Sequence, residues 1–245
     1  MFREIKKKQI ILENRKPYSS ETGEYIRELN KLDWIHSSMR LDGSIISRPE
    51  AEKILRGGFV AEASLDDHVL IERYSDLINT ANDMLAMSNT LNREMISAFS
   101  QKLAGKPDDT YRRGNPVLLS IGYNPPHPSE IDEQMEILMN WFYSDDMEEN
   151  PVLKAACLHS RLIEVYPFET YSEAAARAAM YFYLMEKGYP AFEIRMKENE
   201  YNLALIEYLK KENIEPFYRE IERCIFNKME VLIQLTAGDG GVGFE

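Results

Sequence analysis

Cysteine is nearly absent from this 245-residue chain. The two present, Cys157 and Cys224, lie far apart, which excludes a disulfide scaffold and a cysteine-built zinc cluster and fits a reducing compartment. Positive charge is also short. Lys and Arg number 29 against 41 Asp and Glu, a formal net charge of −12, so long-range electrostatics oppose general binding to nucleic acid or an anionic membrane. No apolar run approaches the roughly 20 residues needed to cross a bilayer. The stretch 1–8 is charged and followed by only four largely apolar residues before charge returns, which is no signal-peptide pattern; a cytoplasmic location is the expectation. Internal repeats and low-complexity tracts are lacking. Neither G-x-x-x-x-G-K-[ST] nor a strand-linked G-x-G-x-x-G occurs. The Gly238-Asp239-Gly240-Gly241 run reads as tail rather than ligand loop. The histidines His36, His68, His127 and His159 share no H-x-x-x-H spacing, so they do not form a metal site, and none is predicted.

What is present is helical periodicity. Residues 24–40 carry Tyr25, Ile26, Leu29, Leu32 and Ile35 at helical spacing, 49–56 form a short helix stopped by Gly57-Gly58, and 67–88, 91–103 and 128–143 are amphipathic. Residues 152–165 and 174–185 are apolar nearly all round, the pattern of helices at the centre of a fold. Two further amphipathic helices occupy about 198–211 and 215–235. Between 91–103 and 128–143, residues 111–126 are punctuated by Pro and Gly around the β-prone Val117-Leu118-Leu119-Ser120-Ile121 and predict a small β-hairpin. The reading is all-α: one orthogonal helical domain over 1–236, with a central buried helix pair, one β excursion and a flexible Gly-rich tail at 237–245. His159, on a central apolar helix, reads as a core histidine; Trp34 and Trp141 likewise read as core.

The loop between the central helices, Tyr166-Pro167-Phe168-Glu169-Thr170-Tyr171-Ser172-Glu173-Ala174-Ala175-Ala176-Arg177, resembles the Fic (Fido) signature H-P-F-x-[DE]-G-N-G-R-x-x-R through Pro167, Phe168 and Arg177. His159 stands seven residues before the loop, as in that family, and Lys187-Gly188-Tyr189-Pro190 is similar to its following G-Y-P. Residues 111–121 with Pro125-Pro126-His127-Pro128 resemble its flap hairpin and helix entry. Ser37-Ser38-Met39-Arg40-Leu41-Asp42-Gly43 resembles its S-S-x-x-I-E-G-N inhibitory segment, so that Ser38, Asp42 and Gly43 hold inhibitory-like positions. The resemblance covers about residues 24–220.

It implies a Fic-like fold and AMP transfer from ATP to a protein hydroxyl (AMPylation), with a histidine base, an acidic residue on Mg2+, and helix-terminal amides and arginines on the phosphates. The chain departs from this at nearly every chemical position. Tyr166 replaces the base, and a phenol of pKa ~10 accepts protons poorly at neutral pH. Thr170 replaces the metal carboxylate. Tyr171, Ser172 and Glu173 replace G-N-G, and Ala174 replaces the first arginine. The nucleotide-binding positions Phe168, Thr170, Tyr171, Ser172, Glu173 and Arg177 are thus degenerate. Thr170-x-x-Glu173 is a capping-box pattern that would satisfy the helix amides in place of phosphate. Asp42 stands where the family's inhibitory glutamate pairs with the last motif arginine, and an Asp42–Arg177 pair is expected as structure; otherwise Arg177 is solvated or pairs elsewhere.

Three functions follow. The first is an inactive Fic-fold pseudoenzyme that binds or regulates a protein partner through the 111–123 flap. The second is a divergent transferase, with Tyr166 as base or nucleophile and Glu169 or Glu173 on metal. The third is an unrelated binder on a similar scaffold. Cofactors are not expected in the first reading; ATP and Mg2+ belong to the second. Oligomeric state and target are not encoded in any motif.

Overall fold

The computed structural model describes residues 1–107, 111–144 and 146–238. Ten α-helices make up this part of the chain: α1 (Phe2–Glu13), α2 (Ser20–Leu41), α3 (Arg48–Leu55), α4 (Leu65–Ala86), α5 (Arg93–Ala104), α6 (Ile131–Phe142), α7 (Pro151–Val165), α8 (Ser172–Glu186), α9 (Glu198–Lys211) and α10 (Glu215–Leu235). Short polar side chains start several of them. Ser19, Ser64, Asn92 and Asn150 each accept a hydrogen bond from a first-turn amide of α2, α4, α5 and α7, which satisfies donors that have no partner inside the helix.

The two segments apolar all round are the central pair. α7 and α8 pack most extensively on each other, and α5, α4, α9 and α10 surround them. From Ala174 to Leu184 every residue of α8 is buried. Its five alanines, Ala174, Ala175, Ala176, Ala178 and Ala179, combine strong helix propensity with little bulk, so neighbouring backbones approach closely on all sides. One hydrophobic core runs from Ile5 in α1 to Leu232 in α10.

One element went unpredicted and one expectation needs correction. The first helix, α1, is a charged segment in which only Ile5 and Leu12 are buried, packed against α10; two apolar contacts in twelve residues fall below what periodicity detects. The predicted β-hairpin does not form: among the described residues there is no strand. Residues 111–126 hold only two isolated bridges, Tyr111 with Phe168 and Leu118 with Tyr123. Leu118 and Tyr123 exchange backbone hydrogen bonds of 2.9 and 3.3 Å. Pro116, Pro125 and Pro126 lack the amide donors that would extend the ladder beyond this single rung. Val117 and Leu119 therefore stand 59% and 85% exposed.

No helix among the described residues is long and apolar enough to cross a membrane. Most of the Gly-rich tail predicted for 237–245 lies outside the described residues.

Candidate functional site

α7 ends at Val165, and Tyr166 caps it in the left-handed region at φ 46°, a conformation in which glycine is the usual occupant. The chain then turns through buried Pro167 and Phe168. Phe168 is 2% exposed and its ring packs against Tyr111 at 5.8 Å. Ser172, the first residue of α8, ties the turn: its hydroxyl accepts from the Phe168 amide at 2.8 Å and donates to the Phe168 carbonyl at 3.0 Å. From α5, the Ser100 hydroxyl donates to the Thr170 carbonyl at 3.0 Å.

Arg112 holds the other side of the loop. It is 3% exposed. Its guanidinium donates to the carbonyls of Tyr166 (2.7 Å), Gly114 (2.8 Å) and Pro126 (2.5 Å), and its amide to Pro167 O at 2.9 Å. A cation at the carbonyl end of α7 also complements the helix dipole. Arg112 therefore joins the 111–126 segment to the loop without a β-ladder. Nothing in the periodicity marked it; an arginine in a stretch punctuated by Pro and Gly has no face to belong to.

The capping box expected from Thr170 and Glu173 is not formed. Thr170 is exposed, and the N-cap of α8 is Tyr171, left-handed at φ 58°, with no side-chain hydrogen bond to the first amides. The left-handed Tyr171 places the start of the helix one residue later than the pattern requires. Glu173 is half-buried. Burial, with Asp42 and Glu198 adding repulsion and Arg177 opposing, raises its carboxyl above the ordinary range.

The expected pair is present. Arg177 is fully buried in α8, and its Nη2 donates to Asp42 Oδ1 at 2.5 Å. Asp42 is the C-cap of α2, followed by Gly43 at φ 89°. Tyr74 of α4 donates its hydroxyl to Asp42 Oδ2 at 3.3 Å, and the Ser38 carbonyl lies 3.4 Å from Arg177 Nη2. Arg177 Nε and Nη1 and the Ser38 hydroxyl have no hydrogen-bond partner among the described residues. Beneath this pair, His159 Nε2 and the Tyr201 hydroxyl share a 2.8 Å hydrogen bond, and the imidazole stacks on Phe217 at 4.5 Å. Burial, followed by the nearby Arg177 charge, holds His159 well below its ordinary pKa. It is a neutral core histidine, as read from its apolar helix. Tyr74 and Tyr201 were legible only as core positions; their hydroxyls meet the polar cluster because three separate helices converge there.

Tyr166, in the base position, has its phenol pushed up to about 12, by burial first and by Glu173 and Asp42 next. Arg177, in the second turn of α8, is buried and engaged by Asp42. Glu173 and Asp42 present negative charge where phosphates require positive charge. Among the described residues, no three His, Cys, Asp or Glu side chains converge as a cation site. Glu169 is directed elsewhere, accepting from the Arg113 amide at 3.3 Å.

Comparison with known proteins gives the arrangement a context. Residues 80–184 match the Fic/DOC family. The chain is 32% identical over 116 residues to Protein adenylyltransferase Fic of Nematostella vectensis, covering 46% of this chain and 26% of that protein. It is 19% identical over 196 residues to Protein adenylyltransferase fic-1 of Caenorhabditis elegans, covering 78% and 39%. The alignments thus span between a quarter and two-fifths of these curated relatives. Among solved structures, a Fic domain containing signaling protein from Bacteroides thetaiotaomicron superposes with a TM-score of 0.81 at 21% identity, over 98% of this chain and 99% of that one. Fic-1 of C. elegans superposes at 0.80 with 18% identity, over 97% and 72%. At such identities the superpositions establish the fold alone. The family match falls on the central helices and the loop between them, the part of the molecule that carries Pro167, Phe168 and Arg177, and over residues 80–184 the chain is similar to the Fic/DOC family.

Proposed function

We propose that this chain keeps the Fic architecture without performing adenylyl transfer, and that it works as a binding or regulatory module for a protein partner. The observation that carries this reading is the state of the start of α8. The half-buried Glu173 carboxylate occupies the place where the relatives' chemistry needs a phosphate-accepting glycine, while Arg177 is wholly buried against Asp42. Transfer requires a proton acceptor near neutrality and stabilisation of phosphate charge. Tyr166, raised to about 12, supplies neither; for the same reason the divergent-transferase reading gains no support from its position.

A partner surface is offered by the 111–123 segment, where Val117 and Leu119 are held outward by the Arg112 clamp. Recognition there rests on exposed apolar side chains rather than on strand addition. The test is a calorimetric titration of the chain with ATP, with and without Mg2+. The absence of saturable heat at millimolar nucleotide is the expected result. Saturable Mg2+-dependent binding, followed by a mass increase of one AMP on a protein hydroxyl, overturns the proposal.

A further inference from the structure

On the side of α7 away from α8 the molecule carries a groove of about 510 Å³, within the range of small-molecule sites. Its floor is the outer face of α7, its walls are α6 and the end of α9, and Met147 and Ile214 close it off. Arg161 lies on the floor. It is half-buried, its guanidinium rests 4.1 Å from the centre of the Trp141 ring, and it has no ion pair or hydrogen bond among the described residues. Glu164, one turn along, does not neutralise it; that carboxylate accepts instead from the Tyr208 hydroxyl at 3.1 Å.

The opposite wall carries a second unsatisfied charge. Glu212, the C-cap of α9, adopts φ 55°, a position where glycine is the usual occupant. Its exposed carboxylate is without an ion pair or hydrogen bond among the described residues. The lining mixes polar groups, Gln134, Glu164 and Tyr208, with apolar side chains, of which Ile137 is 52% and Met147 40% exposed. Such a site offers one cation, one free anion and apolar side chains beside them. A simple anion would satisfy Arg161 but meet Glu164 and Glu212; a simple cation would meet Arg161.

We propose that this groove binds a small zwitterion with an apolar body, of the class of apolar α-amino acids and short apolar peptides, its carboxylate on Arg161 and its ammonium on Glu212. The proposal is independent of the loop between α7 and α8 and stands whether or not ATP binds there.

The test titrates the chain with L-leucine, L-phenylalanine and the dipeptide Leu-Leu, followed by calorimetry and tryptophan fluorescence. Trp34 is fully buried against Tyr181, so a change in emission reports on Trp141. At least one of the three probes is expected to bind saturably. For the best of them, the amide lacking the carboxylate and the acid lacking the ammonium should each bind about tenfold more weakly or worse. Arg161→Met and Glu212→Gln should weaken the same probe comparably, with helix content by circular dichroism unchanged; Arg161→Lys should recover part of the affinity. No saturable response to any of the three at millimolar concentration overturns the proposal. So does equal binding of either analogue, or unaltered affinity in a folded Arg161→Met or Glu212→Gln variant.

Discussion

Removing the carboxylate from Asp42 is the most direct trial of the reasoning about the central cluster. Asp42→Asn keeps the shape of the α2 C-cap and an acceptor for Tyr74, but it leaves the Arg177 guanidinium buried without a counter-charge. Two of its nitrogens are already unpartnered among the described residues, and the remaining acceptor, the Ser38 carbonyl at 3.4 Å, carries no charge. Stranding one member of a buried pair costs roughly 3–5 kcal/mol. The Asp42 side chain is 24% exposed and Arg177 is fully buried, so water reaches one end of the pair and the lower part of that range, about 3 kcal/mol, is the expectation. For a chain of this size that lowers Tm by roughly 6–12 °C. Arg177→Met should cost less, about 1–2 kcal/mol, because the orphaned carboxylate can be hydrated and the apolar replacement fills the volume. The double variant should then resemble Arg177→Met alone, a coupling of about 3 kcal/mol. Thermal melts of all four proteins, at low and high salt, provide the cycle. A fall in Tm under about 3 °C for Asp42→Asn, or a larger loss for Arg177→Met than for Asp42→Asn, refutes the account. If the pair is structural rather than a lock on a working site, Asp42→Asn also gains no ATP binding by calorimetry.

Glu173→Gln should stabilise the protein near neutrality and have little effect in acid. Because the folded carboxyl is raised, the native state holds its proton to higher pH than the unfolded chain; ionisation therefore costs stability from about pH 4.3 upward through the folded value. Melts of the two proteins should coincide near ~pH 4 and separate as pH rises; a variant less stable at neutral pH contradicts this. Arg112→Met removes the donor to three backbone carbonyls and should cost about 3 kcal/mol, with limited proteolysis opening first within 111–126. Arg112→Lys should rescue only part, since an ammonium lacks the planar fork. Tyr166→His, which restores the base of the family signature, should yield no AMP transfer by intact-protein mass spectrometry with ATP and Mg2+, because Thr170 and Glu173 remain.

Reading the sequence located the helices whose apolar residues recur on one stripe, and it placed 152–165 and 174–185 at the centre because both are apolar nearly all round. The resemblance of the Asp42 and Arg177 positions to a family pattern located the one buried ion pair of the candidate site. The capping box failed for a different reason. A four-residue pattern describes side chains, whereas the start of α8 was set by the left-handed Tyr171 and by the bond from the Phe168 amide to Ser172. The hairpin failed because the β-propensity of residues 117–121 was weighed without a partner strand, which the surrounding prolines prevent.

The sequence by itself determined the all-helical class, the central pair and the departures from the family signature at 166, 170 and 173, because periodicity and residue type are local properties of the chain. Only the tertiary structure decided that Arg112 clamps the loop, that Tyr74 and Tyr201 turn their hydroxyls into the Arg177 cluster, and that Arg161 and Glu212 face one groove. Those relations join residues 35 to 100 positions or more apart in several cases, and they exist only once helices from distant parts of the chain have packed to exclude water around α7 and α8.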